Sequence, residues 1–411
     1  MPSALPTGDP APPDGRLSRT TLDAAYGVTF GAYVHVPFCE TRCGYCDFNT
    51  YTAPELPGVS RGTYADTVLA EVRLAADVLR SGDALGGRIP PLTSIFFGGG
   101  TPTLLPAEHL GVIIAELRDQ FGLAPDIEIT TEANPETVTP GYFDRLRAAG
   151  FTRVSLGMQS AVPKVLAVLD RRHRPGRPEE AVAEARAAGF EHVNLDLIYG
   201  APYETDDDWQ RSLESAIGAE PDHISAYALV VEAGTAMYRQ VESGIIPAPD
   251  DDAMADRYVM ADELLTAAGF EWYEVSNWAR TPSAACRHNE LYWSDANWWG
   301  FGPGAHSHVS GVRWWNVKHP TRYAALLDGG GSPAAGRETL DPAARYTEKI
   351  MLGVRMRAGL PTYELTAQAR RSLPQLASWG LIEHDSLRAE QVVLTQRGRL
   401  MADAVVRELL A

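Results

Sequence analysis

Cysteine is scarce in this chain, with four in 411 residues. That is too few for a disulfide framework, and it makes a reducing cytoplasm the expected compartment. Long apolar runs are missing too. No stretch reaches the roughly 18 apolar residues that a membrane-spanning helix needs, and the N-terminus carries no apolar signal core. Excess positive charge is also absent: Lys and Arg number 36 against 53 Asp and Glu, a net charge of −17. A nucleic-acid polyanion would call for the opposite balance, so nucleic acid is not an expected partner. There is no internal repeat beyond a βα alternation. The composition, with 45% apolar residues, suits a globular chain with a large core in two or three domains, or one barrel plus appendages.

Where cysteine does occur, it is concentrated. Cys39, Cys43 and Cys46 stand in the spacing C-x3-C-x2-C. A structural zinc site wants four ligands, usually as two separated pairs, and a disulfide would leave one of the three over. Three thiolates suit a four-iron cluster with one iron open to another ligand.

The loop lies early in a regular alternation. Residues 1–26 are rich in Pro, Gly, Ser and Asp and read as a disordered tail. Strands are expected at 30–36, 94–97, 126–131, 153–158, 192–198 and 223–229, with helices between them. Such alternation gives a parallel sheet whose active groups sit at the C-terminal strand ends. The first five strands each end in a polar or glycine-rich cluster. One of these, Gly98-Gly99-Gly100-Thr101-Pro102, lets a small ligand approach bare backbone. It is neither a Walker loop nor G-x-G-x-x-G.

Together these motifs carry a resemblance. The cysteine loop, with Tyr45 before its last cysteine, and the Gly98–Thr103 loop resemble the radical S-adenosylmethionine (SAM) superfamily. Tyr33-x-His35-x-Pro37-Phe38-Cys39, Glu132-x-Asn134-Pro135, Gly157-x-Gln159-Ser160 and Asp196-Leu197-Ile198-Tyr199-Gly200 resemble oxygen-independent coproporphyrinogen III oxidase and its relatives. The oxidases carry a further cysteine where Phe48 stands here. His288-Asn289-x-x-Tyr292-Trp293 resembles instead the signature of the HemW haem-chaperone branch.

The resemblance implies a [4Fe–4S] cluster on Cys39, Cys43 and Cys46, with SAM on the open iron. It implies a SAM site of Tyr33, Tyr45, Gly99, Gly100, Thr101, Glu132, Gln159, Arg171 and Asp196. In the family, an electron entering the cluster cleaves SAM to a 5′-deoxyadenosyl radical. Haem is expected in the region holding seven of the nine tryptophans, Trp272 to Trp315. His288 and Cys286 are the candidate axial ligands, with Asn289, Tyr292 and Trp293 beside them. Arg287 or Arg313 would meet the propionates, and His306, His308 and His319 are rival ligands.

The expected architecture is α/β: a disordered tail (1–26), a partial (β/α)6 radical SAM barrel (27–250), an aromatic-rich α+β extension (251–335) and a small winged-helix-like domain (336–411). The expected function is haem binding and delivery to an acceptor protein, with an electron donor for the cluster. The alternative is oxidative decarboxylation of coproporphyrinogen III. Homo-oligomerisation and peripheral membrane association are compatible with either.

Overall fold

The computed structural model describes residues 7–53, 55–56, 59–82 and 89–411. Six strands form the frame: β1 (Phe30–Val36), β2 (Leu92–Gly99), β3 (Leu123–Ala133), β4 (Arg153–Gln159), β5 (His192–Tyr199) and β6 (His223–Ala228). They pair in that order and all run parallel. Helices cover the outside. Tyr64–Arg80 buries Val68, Val72, Ala75, Ala76 and Leu79, the spacing of one helical face. Asp206–Gly218 starts at a capping box in which Thr205 and Asp208 each satisfy the other's backbone N–H.

Strand alternation separates the two faces of this sheet. Ile95, Phe97, Ile129, Val154, Leu156, Val193, Leu195, Leu197 and Ile224 are buried apolar residues of the core beneath the helices. The alternate positions are polar: Ser94 on β2, Glu128, Thr130 and Glu132 on β3, Arg153 and Ser155 on β4, Asn194 and Asp196 on β5, and His223 and Ser225 on β6. These line the lumen.

The remaining strands of this sheet are β7 (Glu271–Glu274), β8 (Asn277–Ala279), β9 (Asn297–Phe301), β10 (His306–Val309), β11 (Val312–Asn316) and β12 (Ala334–Thr339). The sheet order is β12-β11-β10-β9-β1-β2-β3-β4-β5-β6-β8-β7. The strands of the expected extension at 251–335 belong to the same sheet. They lengthen both edges of the frame: β8 pairs antiparallel with β6, and β9 pairs parallel with β1. The expected boundary at 335/336 falls inside β12. Between β8 and β9 the chain crosses from one edge to the other, carrying the helix Arg287–Trp293 beneath the lumen.

Residues 341–411 build their own core from Ile350, Leu376, Ile382, Val405 and Leu409. The wing is one short antiparallel pair, Leu360–Pro361 with Gln391–Val392. No described helix is long and apolar enough to cross a membrane.

The N-terminal stretch departs from the expected disorder over its described part, while residues 1–6 lie outside it. Asp9 and Arg337 exchange backbone hydrogen bonds at 2.8 and 2.9 Å, which extends the sheet beside β12. Ser18 caps the short helix Arg19–Ala24. Leu17, Leu22 and Ala25 are buried. Composition hid this because three apolar residues and one bridge suffice to anchor a segment when an edge strand is at hand.

Candidate radical SAM site

The cysteine loop leaves β1 at Val36 and is stitched at its root. Cys39 N–H donates to Tyr51 O at 3.0 Å, and Tyr51 N–H donates to Pro37 O at 2.7 Å. The glycine loop after β2 lies against the same root: Gly100 N–H donates to Val36 O at 2.8 Å and Thr101 N–H to Phe38 O at 2.7 Å. A Cβ at Gly100 would stand 2.4 Å from Phe38 O. Gly99 has φ +108°, and a Cβ there would meet the His35 ring at 2.5 Å. These glycines thus let two loops pack backbone to backbone. On the far side, Met237 N–H donates to Gly44 O at 2.9 Å, so the chain after β6 straps the loop down.

A cavity of about 660 Å³ opens at the C-terminal strand ends. Cys39, Cys43, Cys46, Tyr45, Gly99, Gly100, Thr101, Glu132, Gln159, Arg171 and Asp196 all line it. Among the described residues no three His, Cys, Asp or Glu side chains are drawn together as they would be around a single metal ion; the three thiols face a shared, wider space. Tyr33 is the exception among the expected SAM residues. Its hydroxyl is 3.0 Å from His35 Nδ1, and its ring stacks on Phe96 and His288 at 6.3 Å. It sits deeper in the lumen because its strand position points inward, below the cavity floor.

The electrostatics of the cavity match an amino-acid-like cofactor. Burial, and then the charge of Asp196, raises Glu132 to about 8, although Gly99 N–H donates to its Oε2 at 3.0 Å. Burial also raises Asp196, against the donors Ser155, Ser225 and Asn194. Two buried acids facing one space are relieved by a cation between them. Arg171 donates through Nη2 to Gly157 O at 2.9 Å, its Nη1 is 3.9 Å from Cys43 Sγ, and its Nε–H has no partner. A buried guanidinium with a spare N–H suits a carboxylate. Burial pushes the Cys39 thiol up to about 11 and raises Cys46, so bare thiolates are costly here without a bound cationic centre. The residues present thus fit both groups: Cys39, Cys43 and Cys46 would hold a [4Fe–4S] cluster, while Arg171, Glu132 and Asp196 would hold SAM. When bound, the two supply one-electron cleavage at the SAM sulfonium.

The block expected to bind haem lies elsewhere. His288 is 1% exposed. Its Nδ1 is 2.8 Å from Ser94 Oγ and its Nε2 is 2.9 Å from Tyr292 Oη. Its ring stacks on Phe96 at 5.1 Å. Burial lowers its pKa to about 3. Both nitrogens are engaged and no face is open, so the structure does not present His288 as an axial ligand. Cys286 is equally enclosed, with its Sγ 3.5 Å from Glu128 Oε1. Asn289 reaches the Tyr273 hydroxyl at 3.5 Å, Trp293 bonds Glu274, and Tyr292 meets Trp298 edge-on at 4.8 Å. Arg287 pairs with Asp126, and Arg313 with Glu338 and Glu348. His308 has both nitrogens bonded, to Ala296 O and Gly311 N–H. His306 and His319 make ring contacts with Trp315 and Tyr51, and their rings have no hydrogen bond among the described residues. Of these two, only His319 is exposed.

With this geometry in place, comparison with known proteins is decisive. The radical SAM superfamily model matches residues 33–216. The chain is 54% identical to the haem chaperone HemW of Mycobacterium tuberculosis over 384 residues, 93% of this chain and 95% of that one.

The chain belongs to the HemW family.

HemW of a Synechocystis strain is 36% identical over 367 residues, covering 86% of each chain. Among solved structures, Escherichia coli coproporphyrinogen III oxidase (HemN), described as a radical SAM enzyme, matches with a TM-score of 0.79. It covers 97% of this chain and 94% of its own at 22% identity, a likeness of fold. Like the rest of the radical SAM superfamily, this HemW-family chain uses a [4Fe–4S] cluster and SAM. Phe48 is 42% exposed and stands at the cavity rim. What the sequence reading overlooked is the lumen beneath the cavity, where Ser155, Asn194, His223 and Tyr273 bond to one another. Alternation at i and i+2 along β4 to β6 was the signal that marks Ser155, Asn194 and His223; Tyr273, on β7, has no such signal.

Proposed function

We propose that this chain is a haem chaperone that binds haem, keeps a SAM-liganded cluster and passes haem to an acceptor protein in the cytoplasm. The observation that carries the reading is the 54% identity to a haem chaperone over nearly the whole of both chains. Phe48 supports it, because an exposed apolar side chain stands at the cavity rim where the oxidases that the sequence resembles carry a further cysteine. The exposed imidazole of His319, beside Tyr51 at the exit of the cysteine loop, is the one we assign to the haem iron. A one-electron donor would serve the cluster, and a homo-oligomer is compatible with this role.

The test is an anaerobic titration of cluster-loaded protein with haem. The expected result is a Soret shift saturating near one equivalent. A parallel incubation with coproporphyrinogen III, SAM and reductant should yield no protoporphyrinogen. Sustained turnover without saturable haem binding would replace this reading with the oxidase one.

A further inference from the structure

The helix Arg287–Trp293 closes the N-terminal mouth of the lumen, opposite the cysteines. Glu128 anchors its start: Oε1 accepts from His288 N–H at 3.2 Å and from the Cys286 thiol, while Oε2 accepts from Arg153 Nε–H at 3.0 Å. Gly31 of β1 lies under the helix, where a Cβ would stand 2.4 Å from Leu291 Cδ1 and 2.9 Å from Ser94 Oγ. Between this floor and the SAM cavity lies a small polar chamber of about 40 Å³. Glu132 and Asp196 face it from above, and Cys286 and Asn289 from below.

One wall of the chamber is a continuous chain of hydrogen bonds. The Tyr273 hydroxyl oxygen accepts from Cys286 N–H at 3.2 Å and from Asn289 Nδ2–H at 3.5 Å. It lies 2.8 Å from His223 Nε2. His223 Nδ1 lies 2.5 Å from Asn194 Oδ1, and Asn194 Nδ2–H donates to Asp196 Oδ1 at 2.7 Å. Ser155 Oγ–H donates to Asp196 Oδ2 at 2.7 Å. Sheet register makes the chain possible, because Asn194 stands opposite both Ser155 and His223 on neighbouring strands. An amide oxygen only accepts, so Nδ1 of His223 carries the proton and Nε2 accepts from Tyr273. Every donor in the series then points from the floor toward Asp196. Burial keeps His223 neutral, which preserves that direction.

We propose that the Cys286–Trp293 block serves as a positioning element, which orients the Asp196 carboxylate toward SAM through Tyr273, His223 and Asn194. The family signature in this block is then a barrel floor that reports to the SAM site. Asp196 is held by Ser155, Asn194 and Ser225 while it lines the cavity, ready for ammonium or hydroxyl groups. This rests on SAM occupying the cavity, as the family assignment requires.

The test is equilibrium binding of SAM to the full, cluster-reconstituted chain. Tyr273→Phe removes one hydroxyl and keeps the ring. The expected result is SAM affinity about tenfold weaker with iron content unchanged; the thermal midpoint should fall as well, because Cys286 N–H, Asn289 Nδ2–H and His223 Nε2 all lose the hydroxyl. His223→Leu should weaken binding at least as much. His223→Asn, which returns a donor near the Nδ1 position, should recover a good part of it. Packing alone would not separate those two variants. Affinities within twofold of wild type for both Tyr273→Phe and His223→Leu overturn the proposal and leave SAM binding intact. A wild-type chain that takes up no SAM overturns it together with the cofactor assignment.

Discussion

Arg171 reaches Cys43: its Nη1 stands 3.9 Å from the thiol sulfur while Nη2 is fixed on the Gly157 carbonyl at 2.9 Å. One side chain therefore ties the cluster loop to the end of β4 and still has Nε–H to offer. Arg171→Ala should leave the three cysteines able to hold iron and weaken SAM by about tenfold or more. Arg171→Lys should do little better, since an ammonium has no planar fork to span both partners. Iron content measured beside SAM affinity separates these effects; loss of iron with SAM affinity unaffected would count against the assignment.

Glu132 gives a pH prediction. Its folded-state pKa, about 8, lies above its ordinary 4.5, and burial is the first cause. The folded state then holds a proton that the unfolded state has released. Stability falls as pH rises from about 4.5 through 8 and levels off above that. Glu132→Gln removes this contribution. In thermal melts without SAM, the variant's advantage over wild type should widen from pH 5 to pH 9, by an amount on the order of a few kcal/mol at most. A constant difference across that range would refute the placement of Glu132 as a buried acid.

Gly100→Ala tests the seam between the two loops. The added methyl meets the Phe38 carbonyl at 2.4 Å, and a backbone atom has nowhere to go. A loss of about 1–3 kcal/mol is expected, with reduced iron uptake on reconstitution. Chemical denaturation and iron analysis read both. Uptake equal to wild type would show that the seam does not govern the cysteine loop.

His288→Ala separates a packed histidine from a ligand. It deletes two buried side-chain hydrogen bonds and the stack on Phe96. Stability should fall by about 2–4 kcal/mol, with haem still binding at the wild-type stoichiometry. His319→Ala should leave stability near wild type and shift or abolish the haem spectrum. The reverse pattern in the two spectra would restore His288 as the ligand.

Much of this site was legible in the residues. The six frame strands, the cysteine spacing and the polar strand ends are local patterns, and local patterns survive into the fold. Tyr33 does not line the cavity, since a motif gives the strand and not the direction in which one side chain points. The role of His288 was hidden for a different reason. Its partner Ser94 lies 194 residues away, and no window along the chain brings the two together. The same holds for β9, whose pairing with β1 joins Asn297 to Phe30. The N-terminal stretch looked too polar and proline-rich to fold, and it is held by an edge that composition does not record.

The path of residues 280–296 under the lumen has an engineering consequence. The chain passes from the β8 edge to the β9 edge, so the outer strands on both sides and the floor between them are one covalent piece. A fragment ending after β6 would keep Cys39, Cys43 and Cys46 and most of the cavity residues, yet it would expose β1 and β6 as raw edges and leave Glu128 and Arg153 opening onto solvent. The radical SAM half of this protein is therefore not a detachable cassette. Chimeras between family members should exchange it only with its own crossing segment attached.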